Sequence, residues 1–398
     1  MNITRDDYIA SPEPGCAVGK AVTAYTHPSA SWLVQAYHEI RGSDRFDCYW
    51  RRWSGDNGAS WTESQQILGV EEHDSYTLRR GELFFYYDPD VDRLLQIYDE
   101  GKMPADEPLA AAKSYKLMCE MSTDGGRTFD PPLQIIQKGY DADHYLENVW
   151  HGKNSAQTSC GSIEKLSDGT LLFPISVYTL DEQGEIYNPT GGHTFSCVAA
   201  LLGRWTDDAS AIEWELGQMA VPDPMRTTRG FCEPTLSELE NGRILMICRG
   251  SNDANPSLRG YKWRMMSSDL GRSWSDGEPL TFSDGGELLS PATCSRLLRH
   301  SSGDLYWFGN ILSDNPVGNG PRYPLQYARV DESNGGIIRD SVVVIDDRQA
   351  GEYEGVQLSN FWVYEDRESG EFLLSMHRLF PARRGDWTSP CVRYRIGL

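Results

Sequence analysis

With 398 residues, 39% of them hydrophobic, and 12 Trp, 20 Tyr and 12 Phe, the chain has enough apolar surface for a packed core, which excludes an extended disordered segment. Its formal net charge of -21 excludes a broad attraction to nucleic acid or anionic lipid, so an anionic ligand has to meet a local group of Arg and Lys. No run approaches ~18 consecutive apolar residues, and the first fifteen residues carry no basic segment leading into an apolar one. These features predict no membrane span and a cytoplasmic location as the sequence stands, or a secreted or periplasmic one if a leader has been removed.

In chain order, six strand–turn–strand units are predicted: Ala21 to His38, Asp74 to Tyr87, Gly161 to Ser176, Thr235 to Arg249, Thr293 to Asn310 and Ser359 to Arg378. Each is followed by a second strand pair, so each predicts a four-stranded antiparallel sheet. After the sixth unit only Cys391 to Ile396 remains, one strand short. The segment around Asp7 to Ala10 is predicted to supply the missing strand from the other end of the chain. Nine cysteines, scattered singly through apolar segments with no CxxC, predict buried free thiols rather than a disulfide framework.

An eight-residue pattern, S-x-D-x-G-x-[ST]-[WF], recurs at Ser54 to Trp61, Ser122 to Phe129 and Ser267 to Trp274. Its chemistry is that of a tight hairpin. The Asp accepts hydrogen bonds from its own turn, the Gly supplies a positive φ, and the terminal aromatic packs against the sheet. Asp56, Asp124 and Asp269 are therefore predicted to be structural. Degenerate copies of the turn lie at Thr206-Asp207-Asp208 and at Asp331 to Gly335.

In such a sheet the start of the first strand and the end of the second emerge at one edge. Strand starts offer Lys20, His73, His151, Glu233 and Gln357. Strand ends offer His38, Tyr86, Arg249, Asn310, His377 and Arg378, and connecting loops add Asp44, Arg226, Arg229, Arg322 and Tyr353. A concentration of Arg and His in an acidic chain points to an anionic ligand held by guanidinium groups. No metal-ligand spacing, P-loop or dinucleotide motif is present, so no metal or cofactor is expected.

The three repeats resemble the Asp boxes of BNR-repeat proteins, and the chain resembles a divergent member of the sialidase superfamily. The resemblance implies an all-β fold, one six-bladed β-propeller domain over residues 1–398, whose last blade is closed by the N-terminal strand. It also implies site roles. Glu233 to Arg249 is similar to the sialidase segment in which a Glu opens one strand and an Arg ends the next. By that resemblance Arg249 and Arg322 belong to the carboxylate-binding arginines, Glu233 partners the nucleophile, and Asp44 is the acid/base. Asp47 is read as a solvated edge residue. Two positions depart from the family: Lys20 stands nearest to where the family has Arg-Ile-Pro, and Gly355-Val-Gln357-Leu358 stands where the family has its Tyr nucleophile, with Tyr353 just upstream.

Together these imply an exo-acting glycoside hydrolase with an anionic carbohydrate as its partner. Catalytic candidates are Asp44, Glu233 and Tyr353. Binding candidates are Arg249, Arg322, Lys20, His38, His151, Asn310, Gln357, His377 and Arg378. Two alternatives stand beside it: a polysaccharide lyase using Arg with His or Tyr on a uronate, and a glycan-binding propeller without catalysis.

Overall fold

In the computed structural model, which describes residues 2–29, 31–158 and 161–398, almost all regular structure is β-strand. The helical segments are three short 3-10 turns, Pro104–Asp106, Pro108–Lys113 and Arg339–Ser341. No helix among the described residues is long and apolar enough to cross a membrane. The strands form six main antiparallel sheets and one small hairpin, His144–Leu146 with Val149–Trp150. The chain packs into two compact units, one holding the first, second and sixth sheets and the other the third, fourth and fifth.

In the first unit, the sheet nearest the N-terminus runs from the short strands Ala17–Val18 and Val22–Tyr25 through Leu33–Ile40 and Phe46–Ser54 to Gln65–Gly69. The sixth sheet is Trp362–Glu365, Phe372–His377, Cys391–Gly397 and then Asn2–Ile9. Asn2 lies opposite Gly397 and Asp7 opposite Val392, so the chain's beginning supplies the strand missing from its end. Ala21 N donates to Ser375 Oγ at 3.0 Å and Trp362 Nε1 to Thr23 O at 3.1 Å, tying the sixth sheet to the first.

The second sheet differs from the sequence expectation. Residues 74–87 do not fold back as a strand pair. Thr77–Asp88 is one strand, and it pairs with Arg93–Met103 across a turn at residues 89–92. The register shifts between Gly81 and Phe84, with Glu82 at φ 50, so the apparent turn is a β-bulge inside a strand. Gly81 is there for contact: a Cβ would stand 2.3 Å from the Phe46 ring. His73 thus precedes the inner strand instead of opening it, and Tyr86 lies near that strand's far end.

In the second unit, the fourth sheet is Cys232–Glu238, Ile244–Arg249, Lys262–Ser267 and Glu278–Pro279. Alternate residues of these strands enter two apolar layers. Ile244, Met246, Cys248 and Met265 pack toward the third sheet with Leu172, Val198 and Ala200, whereas Leu245 and Ile247 pack toward the fifth with Leu305, Trp307 and Ala328. The near-continuous burial of Ile244–Arg249 follows from apolar neighbours on both faces.

All three Asp boxes close the hairpin between the outer two strands of their sheets. Ser54 Oγ, Ser122 Oγ and Ser267 Oγ each donate to the Asp two residues on, at 2.7, 2.8 and 2.7 Å. Each Asp in turn accepts from the backbone and hydroxyl of the residue four further along. These bonds hold the Asp56 and Asp124 carboxyls down to about 2. Asp208 and Asp331 make similar bonds to Ser210 and Ser333 in the two degenerate turns. The eight described cysteines are free, six of them buried; Cys160 lies outside the described residues.

Candidate functional site

In the second unit, Glu233 stands at a break in the ladder between Cys232–Glu238 and Ile244–Arg249, where the register shifts between Cys232 and Thr235. Its φ is 52, a conformation that costs a non-Gly residue of order 1–3 kcal/mol and that persists where surrounding contacts impose it. The contact here is Glu233 N donating to Ser176 Oγ at 3.1 Å. The bulge turns the side chain to Arg249, whose Nη1 meets Glu233 Oε1 at 2.8 Å, with each side chain 15% exposed. Glu233 Oε2 is buried with no hydrogen-bond partner. A carboxylate oxygen out of water without a donor is costly, so this atom is poised to accept a proton or a hydroxyl from a ligand or water.

Arg249 is positioned by its neighbours. It pairs in register with Cys232 on one side and Lys262 on the other. Its Nη1 also donates to Ala292 O at 3.3 Å. With the Asn319 amide oriented to satisfy both partners, Asn319 donates to the same Ala292 oxygen at 3.1 Å and accepts from Arg322 Nη2 at 3.0 Å. The carbonyl of Ala292 thus joins Arg249 and, through Asn319, Arg322, two arginines 73 residues apart that the sequence placed in one site.

The segment carrying Ala292 is held from below. Lys262, fully buried, donates from Nζ to Pro291 O at 2.8 Å, Thr293 O at 2.5 Å and Thr293 Oγ1 at 3.2 Å. Burial pushes its ammonium down to about 7; Glu233 opposes that shift and Arg249 adds to it. Asn310, also fully buried, accepts from Thr293 Oγ1 at 2.9 Å and donates to Pro324 O at 2.8 Å, so it braces the loop instead of meeting solvent. Arg229 reaches the same neighbourhood from the segment leading into Cys232: Arg249 and Glu233 are among the charges its guanidinium feels. His151 is half-buried on a different segment, its backbone N–H donating to Asp143 O at 2.7 Å.

The first unit holds the remaining candidates. Lys20, 4% exposed, meets Glu82 Oε2 at 2.7 Å, the glutamate of the other bulge. His38 is 3% exposed and packs against Phe46 and Tyr49, while Gly19 leaves no room for a Cβ beside the imidazole. Burial first, then the charges of His377 and Lys20, hold His38 well below the usual imidazole range. His377 is likewise buried. These two histidines are core residues of their sheets and do not line an open surface.

Arg378 forms a two-pronged pair with Glu352, Nη1 to Oε1 and Nη2 to Oε2. Tyr353 is half-buried and packs on the cluster of Ala17, Ile40, Leu379 and Phe380. Gln357 is half-buried, its backbone N–H bound to Leu379 O at 2.9 Å. Asp44 is exposed at φ 58 and accepts from Ser43 Oγ at 2.9 Å. Asp47 is the correction beside it: it meets Arg41 Nη1 at 3.0 Å and Arg79 Nη1 at 2.9 Å, so it is an ion-paired bridge rather than a solvated edge residue. Among the described residues no three His, Cys, Asp or Glu side chains are grouped as metal ligands would be.

The fold is similar to a protein of unknown function from Dyadobacter fermentans, with a TM-score of 0.64 and 13% identity over 99% of this chain and 99% of that one. It is also similar to a point mutant of the NanB sialidase of Streptococcus pneumoniae, with a TM-score of 0.64 and 11% identity over 98% of this chain and 70% of that one. A third likeness is to Trypanosoma rangeli sialidase in complex with sialic acid, with a TM-score of 0.61 and 12% identity; it covers 99% of this chain, which spans 59% of that one. At these identities the likeness shows the fold, a six-bladed β-propeller. No curated protein matches the sequence. Residues 50–360 match the BNR repeat-like domain family over most of the 398 residues, and the chain belongs to that family.

Proposed function

We propose that this chain is a glycoside hydrolase of sialidase-like type, acting on an acidic sugar or a glycan that contains one. The observation that carries the reading is Glu233: a carboxylate in a strained bulge, one oxygen held by Arg249 and the other buried without a donor. In hydrolysis that free oxygen takes the proton of the group attacking the anomeric carbon, directly from water if no tyrosine intervenes. Arg249 and Arg322 then supply positive charge for the sugar's acidic group. The leaving glycosidic oxygen needs its own proton donor.

The test is a panel of sialosides and uronides read by mass spectrometry. Hydrolysis adds one water to the products; lyase chemistry leaves an unsaturated uronate and adds none. Glu233→Gln is expected to lower turnover by about 10²-fold or more while the thermal midpoint stays within a few degrees. Asp44→Asn tests the acid/base role that the sequence resemblance implies for that residue. Wild-type turnover in both variants would remove the assignment. The lyase reading has lost His38 and His377 as bases, since both are buried in the core.

A further inference from the structure

In the first unit a cavity of about 300 Å³ lies between the Asp box of the first sheet and one face of the sixth, and none of the residues around Glu233 contributes to it. Register builds the sixth sheet's wall. Tyr364 pairs with Leu373, Leu373 with Arg395, and Arg393 stands two residues before Arg395, so these side chains leave the same face of the sheet. The facing wall is Asp56 to Gly58 with Trp61. Asn57 fastens the two walls, donating from Nδ2 to Asp366 Oδ1 at 2.7 Å and accepting from Tyr25 Oη at 2.8 Å. A Cβ at Gly58 would stand 3.4 Å from Trp61 Cζ2 and 3.9 Å from Cε2, so the nitrogen edge of the indole lies beside the cavity wall.

Polar groups of both walls are left unengaged. Trp61 Nε1 is buried and makes no hydrogen bond, a state that disfavours the empty cavity. Among the described residues the Tyr364 hydroxyl makes none either, and the carboxylate of the exposed Glu368 has neither a hydrogen bond nor an ion pair. Arg395 gives Nε and Nη2 to Glu371 and Asp366, and Arg393 gives the same two nitrogens to Asp6, so Nη1 of each remains. The lining therefore mixes signs: Asp56, Asp366 and Glu368 stand with two arginines that already have acidic partners. A free anion meets three carboxylates there, and a free cation meets two guanidinium groups.

We propose that this cavity binds one uncharged pyranose unit. A hydroxyl carries no net charge, accepts from N–H groups such as Trp61 Nε1 and the arginine Nη1 atoms, and donates to a carboxylate such as Glu368. The carbon-bound hydrogens of a sugar ring match the apolar part of the lining, Trp61, Tyr364 and Leu373. The volume stands at the low end of small-molecule sites, which run from about 300 to 1,000 Å³, and so suits a single ring. This site retains a glycan and takes no part in cleaving it. It stands apart from the reading of Glu233, and either can fail without the other.

The experiment follows the indole N–H resonance of Trp61 by two-dimensional NMR while the full chain is titrated with the methyl glycosides of glucose, galactose, mannose and N-acetylglucosamine. Methyl sulfate serves as the anionic probe and glycine as the zwitterionic one. At least one glycoside is expected to move the resonance saturably, and more tightly than either charged probe. Tyr364→Phe and Glu368→Ala should each weaken that binding roughly three- to ten-fold, and the double variant more than either. Glu233→Gln should titrate as wild type does, which separates this site from the proposed hydrolase centre. If Tyr364→Phe does not fold, Glu368→Ala, changed at an exposed position, carries the comparison with the same weakening expected. The proposal is overturned if no glycoside moves the Trp61 resonance, if methyl sulfate or glycine binds more tightly than every glycoside, or if the pocket variants titrate as wild type.

Discussion

Lys262 shows what a single buried charge does at this site. Its ammonium spans Pro291 and Thr293 on either side of Ala292, the residue whose carbonyl receives Arg249. Because burial lowers its pKa to about 7, the folded state binds fewer protons than the unfolded chain between about pH 7 and the ordinary lysine value of 10.5. The unfolded state holds the extra proton in that window, so this group's contribution to stability rises as pH rises through it. Lys262→Met removes the contribution, and the gap between wild-type and variant thermal midpoints should widen in favour of wild type from pH 7 to pH 9. A constant gap in differential scanning calorimetry would refute a neutral-range titration. Glu233 and Arg249 were legible in the sequence because one opens a first strand and the other ends a second. Lys262 was not, because it opens a third strand and meets Arg249 only through cross-strand register.

Among the elements, the Asp box was the most legible, since each of its fixed positions answers to a bond inside the turn itself. Asp56 and Asp124 sit at about 2 in the folded chain, below their ordinary 3.8, so they favour the folded state above about pH 4 and stop doing so as pH falls toward 2. Asp124→Asn should lower stability by about 0.5–1 kcal/mol at pH 7, because the exposed carboxylate's bonds are screened by solvent, with the difference shrinking below pH 4. Denaturant titrations at pH 7 and pH 3 measure both values. The strand Asn2–Ile9 was legible by elimination, as the piece missing from the last sheet. Deleting residues 2–9 bares the ladder edge of Cys391–Gly397, and a lower thermal midpoint with concentration-dependent aggregation is expected by scanning calorimetry and light scattering. The second sheet was misread because Arg79-Arg80-Gly81 has the composition of a turn. The Phe46 ring against Gly81 is what makes that glycine necessary, and a contact between residues 35 positions apart leaves no local trace.

Across the whole molecule, a formal charge of -21 opposes the approach of an anionic ligand such as the acidic sugar proposed above. That opposition and the pull of Arg249 and Arg322 separate by range. At 0.01 M salt the Debye length is about 30 Å and an incoming anion feels the net charge; at 0.15 M it is about 8 Å and the local arginines dominate. The association rate of an anionic ligand should therefore rise with salt between these concentrations, opposite to the usual steered encounter, and stopped-flow measurements would show it. A falling rate would mean that local field outweighs net charge even at long range. The fold class was readable at this scale from six recurring strand units, while the site was readable only in part, because charges paired across sheets do not repeat along the chain. The pairing of Asn2 with Gly397 also sets a clock for biosynthesis. Asn2–Ile9 cannot find its partner strand until nearly four hundred further residues have been made, a wait on the order of tens of seconds at ordinary translation rates. Throughout that interval one sheet edge is unsatisfied, so vulnerability to wrong pairing belongs to the nascent chain, before the finished protein exists.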